Sequence, residues 1–184
     1  KFVFFHEGIT WADITTKSFA ARYAPAGFIF DVKGSSGFPE KRHLYGAISL
    51  MNSKLMHGFM SILNPTSTFQ VGDMARVPYI EINDKIEKIN ISAKDLICCS
   101  KDDWDSYETS WDFTIFPLLH LGYHQASLSA AYTALRTHWR GMTMEMQRLE
   151  EENNRIFIDA YGLQDELTPE VPLKEITLTC NPHY

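Results

Sequence analysis

The stretch SLSAAYTALRTHWRGMTMEMQRLEEENNRIFIDAYG, residues 127–162, decides the architecture. In it Leu128, Tyr132, Leu135, Trp139, Met142, Met146, Leu149, Asn153, Ile156 and Ala160 follow one another at alternating spacings of four and three. An α-helix gathers residues so spaced into a single heptad seam, here polar only at Asn153. Ser127 is placed to cap its N-terminus and Gly162 its C-terminus, with Gly141 as the weak point. Such a helix would run about 50 Å at 1.5 Å per residue.

Upstream of the seam the patterns are shorter and mixed. Phe2 to Phe5, Phe19 to Tyr23 and the apolar Phe28-Ile29-Phe30 read as strands joined by turns. KGSSGFPEK, Lys33 to Lys41, reads as a loop that Pro39 keeps irregular. Tyr45 to Leu63 reads as one helix, with Ile48, Leu55, Phe59 and Ile62 at helical spacing, until Asn64-Pro65 ends it. Thr66 to Val71 is extended, and a further helix spans Asn83 to about Cys99 through Ile86, Ile89, Ala93 and Leu96. The acidic, aromatic DWDSYETSWDF, Asp103 to Phe113, reads as a packed connector, its tryptophans as structural anchors. The expected fold class is α+β: a mixed strand/helix domain over residues 1–120, a long helix over 121–162, and an extended tail over 163–184 containing Pro169 and Pro172.

A hydrophobic content of 45% in 184 residues is enough for a packed core. No apolar run approaches the roughly 20 residues that span a bilayer, and no stretch has the form of a signal peptide. Cys98, Cys99 and Cys180 are odd in number and suggest neither a disulfide framework nor a Cys-x-x-Cys metal site, which points to a reducing cytoplasm. The chain starts at Lys1 without an initiator methionine and stops at Tyr184, so it is expected to be a segment of a larger protein. Its net charge is −6, but residues 1–80 carry +3 and the remainder −9. Nucleic acid, if bound, belongs with the first 80 residues.

Several motifs bear on chemistry. Asp31-Val32-Lys33 after an apolar run has the local form of a metal-dependent nuclease's carboxylate-x-Lys, but Asp13 is the only upstream carboxylate and lacks the usual context, so a strand end is the better reading. His120 and His124 are four apart, as ligands on one helix face would be, without a third ligand or a following Glu. Cys98-Cys99 reads as a helix end. Asn181-Pro182-His183-Tyr184 resembles the Asn-Pro-Pro-Tyr with which amino-methylating methyltransferases hold their target amine, but it departs at the third residue. No Gly-rich turn that would cradle a methyl donor accompanies it, so no cofactor is expected in this chain. The polar loops are the better candidate. Lys17, Arg22, Lys33, Lys41, Arg42 and Lys54 are placed to neutralise phosphates, while Ser35, Ser36, Asn64, Thr66, Ser67, Thr68 and Gln70 offer short hydrogen-bonding groups for phosphates or base edges. The loops Lys33 to Arg42 and Asn64 to Gln70 are expected on one DNA-facing surface.

Four stretches carry a family resemblance: EGITWADI (Glu7 to Ile14) with FAARYAPAGFIFDVKG (Phe19 to Gly34); LMNSKLMHGFMSILNPTSTFQVGDMARVP (Leu50 to Pro78); KDDWDSYETSWDF (Lys101 to Phe113); and NRIFIDAYGLQDELTPEVPLKEITLTCNP (Asn154 to Pro182). In this order they resemble the large adenine-specific DNA methyltransferases of bacterial BREX and Pgl phage-defence systems, the PglX type. The resemblance implies a target-recognition domain and a spacer helix, with the catalytic domain upstream in the same parent chain. It implies double-stranded DNA as partner, other defence-system proteins as possible neighbours, and S-adenosylmethionine as the parent's cofactor. Two other classes remain open at this stage: a protein-interaction module using the acidic helix and the Trp segment, and an independent metal-dependent nuclease.

Overall fold

Ile9 and Trp11 are two residues apart, so an extended chain turns both to one side and leaves Thr10 on the other. The sheet forms around that alternation. In the computed structural model, which describes residues 3–15, 19–31 and 33–184, β1 (Gly8–Ala12) is the central strand of three. It pairs antiparallel with β2 (Ala21–Ala24), Trp11 opposite Ala21, and with β3 (Gly34–Gly37), Trp11 opposite Ser35. Ile9 and Trp11 are buried at 1% and 3% exposure, and the Trp11 indole donates to the Phe69 carbonyl at 2.8 Å. About half the residues are helical, and with the small sheet the fold is α+β, as expected.

Three strand assignments need correction. Phe28 and Ile29 are 55% and 68% exposed and lie in no strand. Gly27, at φ +102°, donates to the Phe5 carbonyl, and the Phe5 amide donates to the Phe28 carbonyl, so this apolar run closes a turn against the N-terminal segment. Conversely GSSG, read as loop, is β3; its own residues have little strand propensity, and its conformation comes from pairing along β1. The first expected strand, Phe2 to Phe5, is not one either: Phe4 and Phe5 lie in a turn, Phe5 at φ +66°, and Phe2 lies outside the described residues.

The helix expected over 45–63 is two: α1 (Leu44–Met51) and α2 (Lys54–Leu63). Asn52 makes the break. Its amide nitrogen donates to the carbonyls of Ile48 and Ala21 at 3.0 Å, and its oxygen accepts from the Ala21 amide at 2.9 Å. The Ser53 hydroxyl closes α1 by donating to Leu50, and Ser53 stands at the N-cap position of α2. After the break Ile62 is 80% exposed, although the continuous reading placed it on the apolar face. A short α3 (Val71–Met74) follows. The helix expected over 83–99 is α4 (Ile86–Asp105), which leaves Cys98 and Cys99 in its interior and not at its end.

The heptad helix is borne out as α5 (Leu128–Tyr161). The Ser127 hydroxyl accepts from the Ala130 amide, and Gly162 at φ +68° closes the helix in a Schellman turn, Leu163 N–H donating to Ile158 and Gly162 N–H to Asp159.

The chain divides into two compact units, to both of which α4 and α5 contribute residues. The first comprises Lys1–Lys94 and Glu152–Pro169. Its cores gather Trp11, Met56, Met60 and Phe69 in one cluster and Leu50, Leu55, Ile82, Ile89, Ile156 and Phe157 in another. Asn153, the polar position of the seam, donates to the buried carbonyl of Ser49, and Asn154 accepts from the Lys54 amide while donating to Pro169.

The second unit comprises Asp95–Glu151 and Glu170–Tyr184. Its tail has only a 3₁₀ turn at Leu173–Glu175 but packs Val171, Ile176 and Leu178 against Met146. Within this unit burial, and secondly the charge of Glu175, push the Glu150 carboxyl from 4.5 up to about 7. The folded state therefore holds that proton more tightly than the unfolded chain does. The contribution is full below the unfolded pKa and is lost as pH rises through the folded one. Glu150→Gln should remove about 1–3 kcal/mol of pH dependence between about pH 4.5 and 7. Urea titrations of both proteins across that range would check it.

The tryptophan segment also differs from expectation. Trp104 is 56% exposed and Trp111 94%, so neither is a buried anchor in this chain. The segment is instead tied by polar groups: Lys101 pairs with Asp105 and Asp112, and the Ser110 hydroxyl donates to Asp105. Trp111→Ala should change stability by less than about 0.5 kcal/mol, which a thermal melt would show.

Candidate nucleic-acid interface

Cross-strand neighbours project from the same face of a sheet. Thr10 stands opposite Arg22 on one side and Ser36 on the other, so Arg22, Thr10 and Ser36 form a row across the face turned away from Trp11. Ser35 belongs to the core side and is 8% exposed, which removes its hydroxyl from any surface contact. Arg22 makes no ion pair among the described residues.

The remaining sequence-derived residues separate into groups at the two ends of β1. At its C-terminal end the Asp13 amide donates to the Lys33 carbonyl, and the Asp13 carbonyl accepts from Phe69 at 2.7 Å. Ile14 bridges to Thr68, and the Lys33 ammonium lies 3.5 Å from the Asp13 carboxylate. Lys33 and the 64–70 segment thus flank one short stretch of chain. At the other end Lys41 sits 3.7 Å from Glu7, and Arg42 pairs with Glu40 at 3.1 Å. A five-residue strand separates the ends by about 17 Å. These cations are 75%, 90% and 71% exposed, and pairs of that kind are weak enough to open for a phosphate. Lys54 starts α2, its amide held by Asn154, about 15 Å along the helix from Asn64. Lys17 lies outside the described residues.

The 64–70 segment spends much of its polar chemistry on itself. The Asn64 amide donates to the Thr68 carbonyl at 2.7 Å and to Asp73 at 2.6 Å, while its oxygen accepts from the Thr66 amide and hydroxyl. The Thr66 and Thr68 hydroxyls are 2.9 Å apart. Gln70 is exposed and caps α3, its amide N–H donating to Asp73. Asn64 therefore shapes the loop, and the Gln70 side chain takes part in the capping box that starts α3.

The other motifs resolve as local structure. One Asp31 oxygen accepts from the amides of Lys33 and Gly34 at 2.9 and 3.0 Å, forming the bend into β3. His120 and His124 bracket the 3₁₀ turn Leu121–Tyr123 and do not share an α-helical face; His120 Nδ1 accepts from Gly122. Among the described residues no group of three or more His, Cys, Asp or Glu side chains is arranged to hold a metal ion. The Asn181 amide donates to Leu173 and Ile176, and its oxygen accepts from His183, so the whole carboxamide is occupied inside the tail. Tyr23 donates to Glu7 at 2.9 Å, and burial, then Glu7, push its phenol up to about 12.

Sequence reasoning missed Thr10 and the aromatic side chains around it. Thr10 sits in the middle of ITWA, and its outward position was readable from the alternation with Ile9 and Trp11.

Fold and surface define an α+β module whose sheet presents one polar, cation-bearing face. No protein-family model matches the chain. It is 36% identical over 178 residues, 95% of its length, to the adenine-specific methyltransferase PglX of Lacticaseibacillus casei (strain Zhang). It is 33% identical over 187 residues, 100% of its length, to the adenine-specific methyltransferase BrxX of Escherichia coli O9:H4 (strain HS). The chain spans 15% of the length of each of these relatives. It is homologous to a segment of the PglX and BrxX adenine-specific methyltransferases, the resemblance its sequence already carried.

Proposed function

We propose that this chain recognises double-stranded DNA on behalf of a larger adenine-specific methyltransferase of the phage-defence type. The observation that carries the reading is the Arg22–Thr10–Ser36 row on the outer sheet face, with Lys33 at one end of β1 and Lys41 and Arg42 at the other. Cations there neutralise phosphates; hydroxyls and the Gln70 carboxamide are the right size for base edges. In this reading residues 1–120 carry recognition, the helix over 121–162 is a spacer, and 163–184 lead into the next domain. S-adenosylmethionine is held by the methyltransferase domain of the parent, and transfer to adenine N6 takes place there. Other defence-system proteins are further partners, and the setting is the cytoplasm. No described helix is long and apolar enough to cross a membrane.

Phosphate contacts are read by salt. The double variant Arg22→Ala, Lys33→Ala should bind duplex DNA more weakly whatever its sequence, and flatten the slope of log affinity against log salt by about two. Lys41→Ala with Arg42→Ala should flatten it by about one to two. Gln70→Ala should cost about 1–3 kcal/mol on the cognate site alone. Unchanged slopes in both double variants would remove this face from the interface.

A second reading has its own observation. Trp104 and Trp111 stand exposed among Asp102, Asp105, Glu108 and Asp112, a surface suited to a protein partner with a basic face. Loss of that association in Trp111→Ala, with no salt-dependent DNA binding by the parent chain, would favour docking.

A further inference from the structure

From Phe113 to Met144 the chain carries no Asp or Glu, although residues 81–184 hold eighteen of them. Arg136 and Arg140 are the Lys/Arg cations of that run, both on the first half of α5 and within the second unit. The helix turns Ala131, Leu135 and Met146 inward, while Thr133, Arg136, Thr137, Arg140 and Gly141 are exposed.

Three features of this exposed face serve nothing inside the unit. First, neither arginine makes an ion pair among the described residues, whereas Lys101 and Arg148 of the same unit are paired with carboxylates. Their spacing of four puts like charges one turn apart, which weakens a helix unless an anion lies beside them. The Arg136 guanidinium lies over the Tyr132 ring at 6.0 Å, a contact that orients it and leaves its charge unneutralised. Second, beyond the helix's own backbone a Cβ at Gly141 would meet nothing within 4 Å. Packing in this chain therefore does not call for glycine where alanine makes the better helix. Third, the Thr133 and Thr137 hydroxyls donate to the carbonyls of Ser129 and Thr133 at 2.9 Å, so both lie along the helix and the surface beside the arginines stays low.

We propose that this face of α5 holds the sugar–phosphate edge of double-stranded DNA, with Arg136 and Arg140 on two phosphates of one strand and the duplex seated close at Gly141. The two arginines are about 6 Å apart along the helix axis, and phosphates of one strand follow at about 3.4 Å of duplex axis, so two are within reach. A guanidinium fork matches a phosphate, and interfaces with DNA are more polar and more positive than those between proteins, as this face is. The proposal rests on the DNA-recognition reading above and gives the helix a contact of its own beyond a spacing role.

The test follows binding of a labelled duplex by the whole chain across a salt series. Arg136→Gln with Arg140→Gln should flatten the slope of log affinity against log salt by about two, and Arg136→Lys with Arg140→Lys, which keeps both charges, should keep the slope. Gly141→Ala should raise the melting temperature by about 2–4 °C and yet bind duplex more weakly, because its methyl group stands between helix and strand. Opposite signs of stability and affinity at one exposed position are not expected of a purely structural glycine. An unchanged slope in the glutamine variant, or a stabilised Gly141→Ala protein with unchanged affinity, overturns the proposal; an acidic protein as occupant of the face would give that result. If Arg22→Ala with Lys33→Ala still flattens the slope in the same series, DNA recognition stands without this contact. Absence of duplex binding by the unsubstituted chain at low salt removes both.

Discussion

Replacing Asp103 with Ala should destabilise the unit formed by Asp95–Glu151 and Glu170–Tyr184 by about 3–5 kcal/mol. Asp103 is 7% exposed, and its two oxygens hold three donors of the tail: the Thr179 amide at 2.8 Å, the Thr179 hydroxyl at 2.7 Å and the Cys180 amide at 3.1 Å. A methyl group leaves all three without an acceptor in a place water reaches poorly, so the loss includes their desolvation and not only the bonds. The same carboxylate, after burial, helps hold the Cys180 thiol up at about 12. Cys180 in the variant should therefore react faster with a thiol reagent near neutral pH. Hydrogen exchange at Thr179 and Cys180 gives the second readout. Protection equal to that of the parent at both amides would mean that apolar packing of Val171, Ile176 and Leu178 alone fixes the tail.

Phe157→Ala should cost the other unit about 3–5 kcal/mol. Phe157 is 1% exposed in the cluster with Leu50, Leu55, Ile82 and Ile89, and truncation leaves a cavity that close-packed neighbours fill incompletely. Trp11 is the one tryptophan of this unit, so selective excitation of a protein with the other three replaced by Phe would follow its unfolding in urea. An unchanged midpoint would show that the cluster collapses around the smaller residue. Phe157→Leu, which keeps most of the volume, should recover more than half of the loss.

What was legible in the sequence followed the range of the forces involved. The heptad seam from Leu128 to Ala160 is a local, repeated signal, and its caps Ser127 and Gly162 lie within one turn of the ends they close. The break at Asn52 depends on Ala21, 31 residues away, and no helical periodicity announces it. GSSG is a strand only because β1 lies beside it. Phe28, Ile29 and Trp111 misled in the opposite sense, since an apolar side chain signals a need for cover without saying whether this chain supplies it. At the candidate interface the cations were readable by type, but their distribution between the two ends of β1 was not, because it follows from strand register. The intended readers among the short polar residues divided for a similar reason: Asn64 is consumed by its own loop, Ser35 faces the core, Gln70 shares a capping box with Asp73, and Ser36 lies on the outer face.

Asn52 has an effect beyond ending a helix. A three-stranded sheet in the order β2-β1-β3 has two open borders, and an open border is a template on which another molecule's strand can align. At the β2 border one carboxamide occupies both the amide and the carbonyl of Ala21, mimicking the peptide group of a neighbouring strand. At that point the border has no free peptide group to offer an incoming strand. Asn52→Ala would reopen that border as well as loosen the turn between α1 and α2.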